Sequence, residues 1–517
     1  MAAPTETVVT RSVDPRTGTA FGPEYRDATS AEVAAAVDGA AEAFPVIRRA
    51  APATIAGLLD AIADGLEALG EELIDTAVAE TGLDATRITG ERGRTCGQLR
   101  AFAEVARAGS HLDLRIDPAD PDRVPPRPDL RRMQIPIGPV AVWGASNFPL
   151  AFSVPGGDTA SALAAGCPVV VKAHPSHPAT SELCAAVITA AVAEAGLPAG
   201  TFALLHGRDP SVSRALVTAP GIAAAGFTGS EAAGRALYDL AAARPDPIPV
   251  FAEMGSLNPQ FVTEAAIAER RQELAAGLVG SVTLGTGQFC TKPGLVFLPD
   301  SAGGRALEAA ITAAAAEVEP APLLGDGIAA GLHGRLVELA DLPGVEVVLA
   351  GRTSEVGAWA GPTVLVTDAD TLAGTPLLRE ECFGPATILV RVGSPEEMVA
   401  LVPALPGSLT ASIHAADADV DHLDDLVGAV QHEVGRVVWN QFPTGVAVTH
   451  AMHHAGPYPA STFVQHTSVG SAAIARFVRP VSFQNAPQAL LPEPLRDENP
   501  HRRWRLVDGR LTREPIG

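Results

Sequence analysis

Ile222-Ala223-Ala224-Ala225-Gly226-Phe227-Thr228-Gly229-Ser230-Glu231-Ala232-Ala233-Gly234 opens as a short apolar run and turns, at Gly229-Ser230, into the start of a helix. A run of that length feeding a helix through a glycine is how one unit of a doubly wound parallel sheet reads. Runs of the same kind, separated by helical stretches, stand at 140–143, 169–171, 202–205 and 248–251. A second alternation follows, with runs at 295–298, 345–349, 387–390 and 437–439. The chain is therefore expected to be α/β with two doubly wound layers. Upstream, residues 31–110 read as helices, marked by the 3.6-period stripe of Ile55, Leu58, Leu59, Ile62, Leu66, Leu69 and Leu73. A Pro-rich connection at 118–136, with alternating flanks at 112–116 and 130–135, predicts a protruding hairpin. The segment 478–484 reads as one more strand and is expected to join that hairpin.

A length of 517 residues and 47% hydrophobic content support two to four structural units with large cores. With 37 basic and 59 acidic residues the net charge is −22, and no Lys/Arg-rich run stands out. That balance argues against nucleic acid or an anionic membrane as a partner. No apolar run is long enough to span a bilayer, and residues 1–11 lack the apolar segment of a secretory signal, so a cytoplasmic location is expected. The five cysteines are too irregularly spaced for a disulfide framework, and no His/Cys cluster predicts a metal. His453 and His454 are adjacent, would face opposite sides of a strand, and are read as structural.

Cysteine in a soluble protein is commonly a small buried hydrophobe, and Cys96, Cys167, Cys184 and Cys382 keep that reading. Cys290 differs, because Gly285-Thr286-Gly287-Gln288-Phe289-Cys290-Thr291 leaves backbone N–H groups free to face a developing oxyanion. Upstream, Phe251-Ala252-Glu253-Met254-Gly255 offers a carboxylate. A thiol attacks a carbonyl carbon and a carboxylate activates the water that releases an acyl group, so the pair points to two-step covalent catalysis. No G-x-G-x-x-G follows the 140–143 run, but the helix start at Gly229–Gly234 has the free N–H groups and dipole that suit a pyrophosphate. The same spacing also serves plain turn chemistry.

Ala145-Ser146-Asn147-Phe148-Pro149-Leu150, Val170-Val171-Lys172, Phe227-Thr228-Gly229-Ser230, Glu253-Met254-Gly255, Gly287-Gln288-Phe289-Cys290 and Glu381-Cys382-Phe383-Gly384-Pro385 occur in one order along the chain. In that order the whole sequence resembles the aldehyde dehydrogenase superfamily. The resemblance implies two doubly wound parallel-sheet domains plus a small β oligomerisation flap. The implied boundaries are 1–111 and 137–255 for dinucleotide binding, 256–450 for catalysis, and 112–136 with 470–500 for the flap and tail. It also implies that Cys290 forms a thiohemiacetal and then a thioester, that the Asn147 amide holds the oxyanion, and that Glu253 activates the hydrolytic water. Lys172 is implied for the adenosine ribose, Gly229, Ser230 and Gly234 for the pyrophosphate, and Glu381 with Phe383 for the nicotinamide side. The flap implies a homodimer or a tetramer built from dimers.

Family members that prefer NAD often carry a glutamate where this chain has Pro175, in Lys172-Ala173-His174-Pro175. Without a carboxylate to repel a 2′-phosphate, NADP is expected to be preferred, with NAD possible. Arg208 is a second candidate cation for that phosphate, or an exposed loop residue. Within the superfamily, Trp143-Gly144-Ala145-Ser146-Asn147 and Gly456-Pro457-Tyr458-Pro459-Ala460 are similar to the group that oxidises 2-oxoglutarate semialdehyde to 2-oxoglutarate. Arg94, Arg436 and Arg476 are all open as the anchor for a distal carboxylate. A pocket lined by Phe152, Trp439, Phe442 and Phe463 would instead suit an aliphatic aldehyde.

Overall fold

The computed structural model describes residues 8–354 and 356–516; residues 1–7, part of the segment read for a signal, lie outside them. The helical stretch resolves into Ser30–Ile47, Pro52–Ala68, Gly70–Thr81 and Ala85–Ala108. Ile55, Leu58, Leu59, Ile62 and Leu66 bury one face of the second helix, and Leu73 continues the stripe on the third. Between them the chain breaks at Gly70, whose φ of 55° only glycine adopts without strain. Each such buried Leu or Ile contributes about 1.5–3 kcal/mol, so the stripe is a main source of this layer's stability. The last helix starts at Asp84, whose side chain accepts the Arg87 N–H at 2.8 Å.

Five strands form the first sheet, in the order Phe202–Leu205, Val169–Lys172, Val140–Trp143, Ala224–Thr228 and Val250–Glu253, all parallel. The chain winds outward in one direction from Val140–Trp143 and then in the other, which creates a switch point between that strand and Ala224–Thr228. The seven-stranded sheet runs Glu346–Leu349, Thr363–Asp368, Ala386–Val392, Leu295–Pro299, Gln260–Val262, Ser408–His414, Val434–Trp439. Its edge strand Glu346–Leu349 pairs antiparallel with Thr363–Asp368, unlike the parallel pairs beyond it. Gln260–Val262, Thr363–Asp368 and Ser408–His414 escape a reading by apolar runs, the last because Ser408, Thr410 and Ser412 are buried polar residues inside it.

A third sheet stands apart from these two. Val478–Gln484 pairs antiparallel with Leu130–Pro136, and the sheet continues through Arg115–Asp117, Arg505–Val507 and Arg510–Thr512. The hairpin Val9–Asp14 with Thr19–Arg26 is a further element that the sequence pattern does not announce. Among the described residues no helix is long and apolar enough to cross a membrane.

Candidate active site

Asn147, Lys172, Gly229 and Glu253 all lie at or just past carboxyl ends of the parallel five-stranded sheet. Cys290 comes to this edge from the other half. Helix Glu264–Thr283 gives way to the turn Leu284–Gly287, in which Gly285, Thr286 and Gly287 have φ of 55°, 57° and 68°. Thr286 is held in this left-handed conformation while its hydroxyl donates to the Pro322 carbonyl at 2.9 Å. Gly287 is required twice over, since a Cβ there would also lie 2.2 Å from the Gly384 carbonyl oxygen.

Beyond the turn, the segment is bonded from several sides. The buried Asn258 amide donates to the Cys290 carbonyl at 2.8 Å and the Lys292 carbonyl at 3.0 Å. Its own oxygen accepts the Ser256 hydroxyl at 2.7 Å and the Thr410 hydroxyl at 3.0 Å. Lys292, fully buried, donates from Nζ to the carbonyls of Cys382 at 3.0 Å and Ala386 at 2.7 Å. Those bonds tie the cysteine segment to the loop of Glu381 and Phe383. The Asn147 amide donates to the Gln288 carbonyl at 2.9 Å, which puts that amide against the backbone just before the thiol.

Around the thiol three groups converge. Cys290 Sγ lies 3.5 Å from His454 Nε2, and the same nitrogen lies 3.0 Å from Glu253 Oε1. The other Glu253 oxygen accepts the Ser468 hydroxyl at 2.5 Å, and that hydroxyl also reaches the His454 carbonyl at 3.0 Å. Both Glu253 and His454 are buried. Burial and the nearby Glu253 charge push the Cys290 thiol well above its ordinary pKa. Burial acts against Glu253 as well, but His454 and the hydrogen bonds from Ser468 and Cys290 outweigh it and hold the carboxyl below its usual range. The resting site is thus a neutral thiol beside an ionised acid, with the His454 ring in reach of both. His454, expected on a strand as a structural histidine, stands instead beside the thiol and Glu253. It sits in a loop, not a strand, so period-2 alternation does not set where its ring points.

Cys290 lines a cavity of about 510 Å³ with Arg87, Glu91, Arg94, Phe148, Phe152, Phe289 and Val446 among its walls. Of the aromatic residues expected to form a pocket, only Phe152 is in this wall. Trp439 is exposed on the edge strand, Phe442 packs on His414 with ring centroids 4.7 Å apart, and Phe463 packs on Phe251 at 5.1 Å.

Lys172, Arg208, Gly229, Ser230 and Gly234, expected to hold a dinucleotide, lie at the same sheet edge, while Glu381 and Phe383 come from the loop before Ala386–Val392. Ser230 caps helix Glu231–Ala242, its hydroxyl accepting the Ala233 N–H, and leaves the N–H groups of Glu231 and Ala232 without protein partners among the described residues. Gly234 lies against the sheet so closely that a Cβ would be 2.6 Å from Met254 Sδ, and one on Gly229 would be 2.6 Å from the Phe227 ring. Such a capped helix start, close to the sheet with free donors, fits a pyrophosphate. Burial lowers the Lys172 amine to about 8, Asp27 pulling back in part. Asp27 also accepts the backbone N–H groups of Arg208 and Asp209, each at 2.8 Å, which brings the exposed Arg208 to the end of the same sheet. Glu381, half-buried, is raised to about 7 by burial, and its Oε2 lies where a Cβ on Gly255 would come within 2.6 Å. Phe383 is half-exposed on the same loop.

Residues 3–463 match the model of the aldehyde dehydrogenase family. Alpha-ketoglutaric semialdehyde dehydrogenase 2 of Azospirillum brasilense is 46% identical over 502 residues, 97% of this chain and 96% of that protein. Alpha-ketoglutaric semialdehyde dehydrogenase of Acinetobacter baylyi is 44% identical over 490 residues, covering 94% and 93%. Among solved structures, aldehyde dehydrogenase C of Pseudomonas syringae, with NAD⁺ and octanal, has the same fold at a TM-score of 0.79 and 21% identity, over 94% of this chain and 95% of that one. This chain belongs to the aldehyde dehydrogenase family and is an oxidoreductase acting on aldehydes.

Proposed function

We propose that the chain oxidises 2-oxoglutarate semialdehyde to 2-oxoglutarate through a thioester on Cys290, with NADP as preferred oxidant and NAD as an alternative. The observation that carries the chemistry is the line of Cys290 Sγ, His454 Nε2 and Glu253 Oε1, at 3.5 Å and 3.0 Å, beside a cavity of about 510 Å³. The substrate is taken from the two relatives whose names carry it.

The thiol at rest is protonated, so attack on the aldehyde carbon requires a proton acceptor. His454 Nε2 is in reach of Sγ and takes that proton, the imidazolium being stabilised by the Glu253 carboxylate beside it. The Asn147 amide and the Cys290 N–H steady the oxyanion as the carbonyl becomes tetrahedral, a contact whose loss costs on the order of 100-fold or more in rate. When bound, the nicotinamide dinucleotide supplies the hydride acceptor that converts the adduct to a thioester. Glu253, ionised and held by Ser468, then draws a proton from the water that attacks the thioester carbon. Cys290 leaves as a thiol, with the proton returned through His454.

We assign 1–111 with 137–255 to dinucleotide binding and 256–450 to catalysis. Gly229, Ser230 and Gly234 hold the pyrophosphate, Lys172 the ribose with help from Arg208, and Glu381 with Phe383 the nicotinamide end. The absence of an acid at Pro175 and a Lys172 amine that forms no salt bridge among the described residues support NADP over NAD. The third sheet serves assembly: Val434–Trp439 is an open edge, with Val437 and Trp439 exposed, where a strand from a second copy can pair. A homodimer or a tetramer of dimers is expected, and light scattering at the 52.9 kDa of one chain at micromolar concentration would contradict it. An aliphatic aldehyde is the second reading, favoured by Phe148, Phe152, Phe289 and Val446 in the cavity wall. Initial rates with 2-oxoglutarate semialdehyde and with octanal, each with NADP and NAD, decide between the two; a higher kcat/KM for octanal would overturn the first.

A further inference from the structure

The cavity beside Cys290 holds two arginines that the chemistry at the thiol does not use. Both come from helix Ala85–Ala108, which presents Arg87, Glu91, Arg94 and Gln98 on one face, at spacings that repeat every turn. Glu91 is buried and fully engaged. One of its oxygens accepts the N–H groups of Leu150 and Ala151 at 2.9 Å and 2.8 Å, and the other accepts Arg87 Nη1 at 2.5 Å. The charge of Arg87 is thereby balanced, and its guanidinium lies over the Phe148 ring at 4.5 Å and the Phe289 ring at 5.4 Å. Among the described residues, Arg87 Nη2 is buried and has no hydrogen-bond partner.

Arg94 is in a different position. Among the described residues it forms no salt bridge, its guanidinium rests over the Phe152 ring at 4.9 Å, and its Nη1 is buried without a hydrogen bond. Arg94 is half-buried, and a cation partly removed from water without an anion is disfavoured, an aromatic face returning only part of the loss. The acids in the cavity wall are already used: Glu91 as above, and Asp84 as the cap that accepts the Arg87 N–H at 2.8 Å. Burial depresses the Arg94 pKa, with Glu91 restoring only part. The other two arginines open from the sequence are committed elsewhere. Arg476 donates to Asp158 at 2.6 Å and Ser161 at 3.3 Å, and Arg436 to the Pro443 and Gly445 carbonyls at 2.7 Å and 3.2 Å.

We infer that Arg94 binds the far carboxylate of the substrate, with Arg87 Nη2 donating to the neighbouring 2-oxo oxygen, so that the cavity selects aldehydes that end in a 2-oxo acid over neutral aldehydes of equal length. The inference rests on the semialdehyde reading above and gives it a residue. The apolar rings then hold the guanidinium planes and exclude water, which strengthens the ion pair with an entering carboxylate.

Steady-state kinetics at saturating dinucleotide test it, with 2-oxoglutarate semialdehyde, glutarate semialdehyde and pentanal as substrates for wild type, Arg94→Met, Arg94→Lys and Arg87→Met. Arg94→Met should lower the ratio of kcat/KM for 2-oxoglutarate semialdehyde to that for pentanal by at least about 30-fold, chiefly through KM, with Arg94→Lys losing less. Arg87→Met should narrow the preference for 2-oxoglutarate semialdehyde over glutarate semialdehyde. A wild type that turns over pentanal as well as the semialdehyde overturns the substrate reading. A wild type with a preference that Arg94→Met keeps overturns the role of Arg94 and leaves the substrate reading intact. Thermal melting with the product 2-oxoglutarate gives a readout independent of turnover: it should raise the melting temperature of wild type and not of Arg94→Met, whose melting without ligand reports its folding. Equal stabilisation of both by 2-oxoglutarate would contradict the inference.

Discussion

The wall that carries Cys290 and the wall proposed to receive the dinucleotide are built on opposite plans. Around Cys290, Asn258, Gln288 and Lys292 are buried and each makes two or more bonds to backbone or side chain. At the sheet edge facing it, Ser230 and Arg208 are exposed, Lys172 is half-buried, and the N–H groups of Glu231 and Ala232 are free among the described residues. Over-determined geometry suits a nucleophile that must meet a carbon at one angle, because a misplacement of about 1 Å costs on the order of 100-fold in rate. Free donors on a fixed backbone suit a ligand that arrives and leaves in every turnover.

Cys290→Ser should break the first wall's chemistry and spare the second: kcat falls at least about 10⁴-fold while dinucleotide binding, read by fluorescence quenching, persists. Loss of binding with activity would mean the two walls are not separable. His454→Gln should lower kcat by about 10²–10³-fold, and should slow alkylation of Cys290 by iodoacetamide. In the wild type without ligand, alkylation should still be climbing as pH passes 9, since burial and Glu253 hold the thiol well above its ordinary value. A plateau near neutral pH would show a thiolate at rest instead. Gly287→Ala should cost about 1–3 kcal/mol of unfolding free energy in denaturant titration, from the φ of 68° and the close approach to Gly384. The smallest effect belongs to the open wall. Lys172 has a pKa lowered to about 8, so the free enzyme carries the cation below that pH and loses it above. The ratio of kcat/KM for NADP to that for NAD should therefore fall as pH rises through about 8, by about tenfold per unit at most, and should lose this dependence in Lys172→Met. A ratio that rises with pH would remove Lys172 from phosphate binding.

The same contrast governs how far the sequence could be read. Apolar runs followed by glycine turns disclose the five-stranded sheet and its carboxyl edge, because burial on both faces leaves Val, Ala and Phe little alternative. Glu253 and Asn147 are visible as residue types placed at that edge, and Cys290 by the glycine turn that leads into it. His454 is not, since a loop has no period from which to predict a side-chain direction. Arg94 is a subtler case: the sequence leaves it level with Arg436 and Arg476 as an anchor for a distal carboxylate, because spacing alone does not say which arginine faces the thiol. The burial of Glu91 and Gln98, and the use of Glu91 by Leu150 and Ala151, show that the helix face carrying Arg94 is turned inward. The strand Ser408–His414 hides for a related reason, as its buried Ser408, Thr410 and Ser412 imitate a turn.

The central claim, that acyl transfer passes through Cys290 and is released by Glu253, is tested most directly by intact and peptide mass spectrometry of Glu253→Gln. The variant is mixed with 2-oxoglutarate semialdehyde and NADP and quenched in acid. The account predicts an acyl adduct on the peptide containing Cys290, accumulating with a stoichiometric burst of NADPH. A burst without an adduct, or an adduct on Cys96, Cys167, Cys184 or Cys382, would contradict it.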